Sequence, residues 1–154
     1  MRRPGRRLLA GGLALAALLT AGCSRTVAVP DPRPSGAAAG VCAALMADLP
    51  TTVLDQRRRR VEPGGNGAAW GKPAIVLRCG VPAPPGLTSS SECLEVNRVG
   101  WFAEEAQGGM IFTTIGRPAF VELSVPERYA PESGALVDLA ATVTAHDPVS
   151  VPCS

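Results

Sequence analysis

His146 is the sole histidine of the chain and stands beside Asp147. A histidine backed by an acid can activate a nucleophile, provided a hydroxyl or thiol is placed to lose its proton. Ser89, Ser90 and Ser91 form the densest hydroxyl run, but they lie in a polar loop stretch, and the chain has no G-x-S-x-G turn to present a serine. His146 falls instead at the end of a helical pattern, where a cation meets the negative end of the helix dipole. Glu104 and Glu105 place two carboxylates side by side. Adjacent strand residues face opposite ways, so these two cannot flank one glycosidic bond. Cys42, Cys79, Cys93 and Cys153 have no C-x-x-C spacing and one histidine for company, which argues against zinc. These patterns predict no catalytic residue, no cofactor site and no metal site. Arg57, Arg58, Arg59 and Arg60 are different: four consecutive guanidinium groups suit phosphate-bearing partners, which they can grip bidentately. Anionic lipid and wall polymer are the partners of that chemistry. On a strand the run shows two arginines to each face, and charge on an edge strand also discourages sheet-to-sheet pairing.

The elements that must position these residues can be read from the pattern. Val41, Cys42, Leu45 and Leu49 fall at helical spacing and Pro50 ends the run. Leu136, Leu139, Ala140 and Val143 occupy one face of a second helix, with Ser133 at its start and Pro148 beyond its end. Between the helices the period changes to that of strands. Residues 74–79 are rich in β-branched side chains. Residues 101–106 and 110–115 flank Gln107-Gly108-Gly109 as a hairpin, and residues 120–125 alternate apolar with polar. Residues 52–61 add an edge strand. The expected fold is α+β, a mostly antiparallel sheet with two helices packed on one face and disulfides as staples. Trp70 and Trp101 are expected in the core. The loop glycines around Asn66 precede no phosphate-binding motif.

The N-terminus supplies an address. Arg2, Arg3, Arg6 and Arg7 precede an apolar run over residues 8–21, interrupted only by Thr20. Roughly 14 helical residues cover about 21 Å, short of a bilayer core of about 30 Å. A charged start, a short apolar stretch and small residues before a cut make a secretory signal. The stretch Leu19-Thr20-Ala21-Gly22-Cys23 is similar to a bacterial lipobox. That likeness implies acylation of Cys23, with fatty chains such as palmitate, and cleavage before it. Arg6 and Arg7 leave both the general and the twin-arginine export routes open. Loss of residues 1–22 removes four arginines and leaves 11 basic against 13 acidic residues, a net −2. The basic balance belongs to the signal, so nucleic acid is not an expected partner. Residues 23–40, with three prolines and two glycines beyond the cysteine, are expected to be a flexible spacer. Residues 41–154 then form one extracytoplasmic domain. Four cysteines in an exported domain imply two disulfides among three possible pairings. Cys42–Cys153 and Cys79–Cys93 are expected, the first joining the ends of the domain and the second pinning a proline-rich loop.

The segments AWGKPAIVLRCGVP, VNRVGWF and TTIGRPAFVELSVPERYAP, with the terminal VPC, span nearly all of residues 41–153. They resemble the actinobacterial exported proteins grouped as domain of unknown function 3515. A single lysine among 15 basic residues fits a GC-rich genome of that kind. The family pattern more often has glycine where Arg98 stands and an acid where Gly100 stands. The resemblance implies an envelope-associated protein and no particular activity. The expectation from the sequence is therefore a membrane-anchored lipoprotein on the outer face of the cytoplasmic membrane. It would serve as a non-catalytic binding or accessory module of the envelope, meeting anionic lipid, wall polymer or another envelope protein. The alternative is a small envelope hydrolase.

Overall fold

A computed structural model describes residues 26–153. Cys23, the expected signal and the expected cleavage site lie outside the described residues. Nine strands and two α-helices follow in the order β1 (Thr26–Ala28), α1 (Ala37–Ala47), β2 (Thr52–Val53), β3 (Gln56–Glu62), β4 (Gly67–Trp70), β5 (Ile75–Cys79), β6 (Leu94–Val96), β7 (Val99–Ala106), β8 (Gly109–Thr114), β9 (Val121–Pro126) and α2 (Gly134–His146). One sheet orders them β1-β3-β4-β5-β9-β8-β7-β6, with β2 also paired to β3. Only the β1–β3 pairing is parallel. The expected α+β class and mostly antiparallel sheet are present.

The core follows the alternation of the strands. Ile75 and Leu77 of β5, Val121, Leu123 and Val125 of β9, Phe112 of β8 and Trp101 of β7 are buried. They join Cys42 and Leu45 of α1 and Ala135, Leu136, Leu139, Ala140 and Val143 of α2 in one cluster. Trp70 and Trp101 are both fully buried, as their size suggested. Ser133 stands at the N-cap of α2 but makes no side-chain cap bond.

Within the spacer expected over residues 23–40, the described residues from Thr26 onward are instead built into the fold in three ways. β1 pairs with β3 in the register Thr26↔Arg60, Val27↔Val61 and Ala28↔Glu62. Val29 is buried, and its Cγ1 would lie 2.7 Å from any side chain at Gly67. Asp31 Oδ1 accepts the Asn66 amide at 2.7 Å, and α1 already begins at Ala37. A short apolar residue docked on a glycine and one carboxylate on a turn amide are enough to hold a proline-stiffened chain, which has little entropy left to lose.

The disulfide pairing is also corrected. Cys42 joins Cys79 and Cys93 joins Cys153, with Cα separations of 5.5 and 5.8 Å. The first bond staples the buried face of α1 to the end of β5. The second closes over Gly100, where any side chain would meet both sulfurs within 3 Å.

The arginine run is not an edge strand as expected. β3 has β1 and β2 on one side and β4 on the other. The β2–β3 turn places Leu54 and Asp55 at φ of 48° and 59°, and the β6–β7 turn places Asn97 and Arg98 at 49° and 66°. Two consecutive left-handed residues make a type I′ hairpin turn, which normally favours glycine second.

Candidate functional site

The outer side of the sheet carries alternate residues of β5, β7, β8 and β9: Arg78, Glu104, Ile111 and Glu122. Arg78 and Glu122 are cross-strand partners in register. The Arg78 Nε and Nη2 both donate to Glu122 Oε1, at 2.9 and 2.6 Å. Pro30, Asp31 and Pro32 wall one side of this floor, and Val81 with Pro82, Pro84 and Pro85 walls the other, enclosing a cleft of about 670 Å³. That volume is in the range of small-molecule and peptide sites. Three carboxylates and one guanidinium inside proline walls can accept hydrogen bonds from a ligand while apolar surface covers it. Residues 30–32 of the segment that reads as a spacer thus line one wall of the cleft.

Glu104 and Glu105 separate as expected: Glu104 lines the cleft, and Glu105, opposite Met110, is exposed. His146 and Asp147 do not form a dyad. His146 Nε2 lies 3.0 Å from Asp48 Oδ2, bridging the ends of α2 and α1. Thr142 Oγ1 donates to the Asp48 carbonyl beside it, at 3.2 Å. Ser89, Ser90 and Ser91 close a local turn through Thr88, whose amide donates to Ser91 Oγ at 2.9 Å. Arg57, Arg58 and Arg60 are exposed, whereas Arg59 is partly buried and donates Nη1 to the Gly71 carbonyl at 3.1 Å. Among the described residues no group of three or more metal-ligating side chains converges, and no helix is long and apolar enough to cross a membrane.

The sequence placed Asp147 beside His146 but carried no sign of its burial. Asp147 is fully buried, its Oδ1 accepts the Ala119 amide at 3.2 Å, and its Oδ2 has no partner among the described residues. Burial pushes its pKa up to about 6, against the pull of the Ala119 amide and of Arg117. Arg117, whose own pKa burial lowers, donates Nη1 to the Asp147 carbonyl and Nη2 to the Arg98 carbonyl at 2.8 Å. It staples the β6–β7 turn to the end of α2. The unfolded carboxyl titrates near 3.9, so between about pH 4 and pH 6 the unfolded chain sheds a proton that the folded one keeps. Stability is expected to fall with rising pH across that window and then level. Asp147→Asn keeps an acceptor for Ala119 and removes the charge. It should erase this slope and gain roughly 1–2 kcal/mol over the parent above the window. Urea unfolding at about pH 4, 6 and 8 measures this, and an unchanged slope in the asparagine variant would refute it.

The conspicuous sequence segments turn out to be joints of the fold. Gly116 (φ 69°) accepts the Ser150 and Val151 amides at 2.7 and 2.9 Å, and a side chain there would strike the Val151 carbonyl. Gly80 (φ 82°) faces the Pro34 ring, and Tyr129 donates its hydroxyl to the Pro73 carbonyl at 2.7 Å. Residues 7–150 match the family described as protein of unknown function DUF3515. The chain belongs to the DUF3515 family. Neither a curated protein nor a solved structure shows significant similarity to it. In this DUF3515 chain the W-G-x-P, R-C-G-V-P and G-R-P segments are explained by burial, disulfide closure and tight turns.

Proposed function

We propose that this protein is a lipid-anchored lipoprotein on the outer face of the cytoplasmic membrane. Its disulfide-bonded domain is a non-catalytic binding or accessory module of the envelope, and the cleft over Arg78, Glu104 and Glu122 is its binding site. The observation that carries the binding reading is how the reactive groups are spent. His146 holds Asp48, Asp147 holds the Ala119 amide, and four thiols are in disulfides. The cleft meanwhile keeps Glu104 and a proline-lined volume. The anchor rests on the basic start, the short apolar run and Cys23. Acylation explains that arrangement, since each buried methylene contributes about 0.8 kcal/mol and two chains hold where one is marginal. Cys23→Ala is expected to abolish incorporation of labelled fatty acid and to leave the precursor uncleaved. Label incorporation equal to the parent would end the lipoprotein reading.

A further inference from the structure

Thr26 lies three residues after Cys23. At no more than about 3.6 Å per residue, the acylation site is within roughly 11 Å of the first residue of β1. Thr26 is the register partner of Arg60, one strand spacing of about 4.8 Å away. Because β1 and β3 are parallel, the chain enters β1 from the side of β3 that bears Arg57, Arg58 and Arg59. A 17-residue coil would have let the domain drift about 20–25 Å from its anchor, well past the screening length of about 8 Å. A three-residue tether keeps the arginine strand within roughly 16 Å of the anchor, about two such lengths.

Arg57, Arg58 and Arg60 are exposed and make no ion pair within the described residues. The acids of this edge, Asp55 and Glu62, sit at its two ends, outside the arginine run.

We infer that the β1–β3 edge is a docking surface for the anionic headgroups of the membrane that holds Cys23, so that the domain stands edge-on against the bilayer. This orientation rests on the lipid anchor proposed above. Phosphate is the group that guanidinium pairs with best, and basic residues next to a bilayer bind anionic lipid additively. The short tether supplies the local concentration that lets three contacts suffice.

The test uses mature protein purified from membranes and returned to vesicles of phosphatidylglycerol or of phosphatidylcholine, each with a photoreactive headgroup probe. In phosphatidylglycerol, crosslinks should fall on the peptide covering residues 56–62 and disappear at high salt. Arg57→Gln/Arg58→Gln/Arg60→Gln should lower that yield roughly tenfold or more. A Gly/Ser spacer of about 20 residues inserted after Arg25 should also lower it. Circular dichroism establishes that both variants are folded. Mass spectrometry of the N-terminal peptide reads acylation of Cys23 in the same sample. Acylated protein with equal yield in parent and triple variant, or equal yield in phosphatidylcholine, overturns the inference. So does a loss in the triple variant confined to binding of purified wall polymer. Unmodified Cys23 with the β3 crosslink retained overturns the anchor and supports the lipid surface.

Discussion

Replacing Cys42 and Cys79 together by alanine should cost the domain about 4 kcal/mol. The two positions are 37 residues apart. Freeing a loop of that length returns roughly 13 cal/mol/K to the unfolded chain, close to 4 kcal/mol at 25 °C. Both sulfurs are also fully buried between α1 and β5, so the substitution leaves two small cavities besides. For a domain whose total stability is on the order of 5–15 kcal/mol, the variant should be near the edge of folding. Denaturant unfolding of the parent and the double variant measures the loss. A difference under about 1 kcal/mol would show that the staple is not closed in the parent. Non-reducing peptide mapping supplies the independent check, with Cys42–Cys79 and Cys93–Cys153 the expected fragments. Recovery of Cys42–Cys153 would refute the packing of α1 described above.

Trp70→Ala is the second large effect, at about 3–5 kcal/mol. Trp70 ends β4 and is fully buried against the core, in register with Ile75 on one side and Arg58 on the other. Its Nε1 donates to the Pro50 carbonyl at 3.0 Å, tying the segment after α1 to the sheet. Truncation therefore opens a cavity and releases the loop that leads into β2 and β3. Trp70→Phe separates these contributions. It keeps most of the ring volume and loses the hydrogen bond, so it should cost about 1–2 kcal/mol. Equal losses for alanine and phenylalanine would mean that the hydrogen bond, not the volume, holds the site. The crosslinking of β3 to lipid should fall in Trp70→Ala only under conditions where that variant unfolds.

Local pattern made several elements readable. The face Leu136, Leu139, Ala140 and Val143 is the buried face of α2, because a 3.6-residue period survives any tertiary arrangement. The hairpin β7–β8 and strand β9 were readable for the same reason, with a period of two. β4 was not, since Gly67, Ala68 and Ala69 have weak strand preference on their own. They form a strand because Val29 needs a glycine beneath it and Trp70 needs the core. β1 was hidden among prolines that look like spacer.

The candidate sites divide in the same way. Residue types set the even number of domain cysteines, the basic character of β3 and the opposite facing of Glu104 and Glu105, since each depends on chemistry or on strand period alone. Only the tertiary structure decided that Asp147 is buried away from His146, that Glu104 shares a floor with Arg78 and Glu122, and that residues 30–32 wall the cleft above them. It also decided the disulfide partners. Any of three pairings satisfies the cysteine count, but a disulfide forms only where Cα atoms come within about 4.4–6.8 Å, and that distance is set by how α1 docks on β5 and how the C-terminus returns to Gly100.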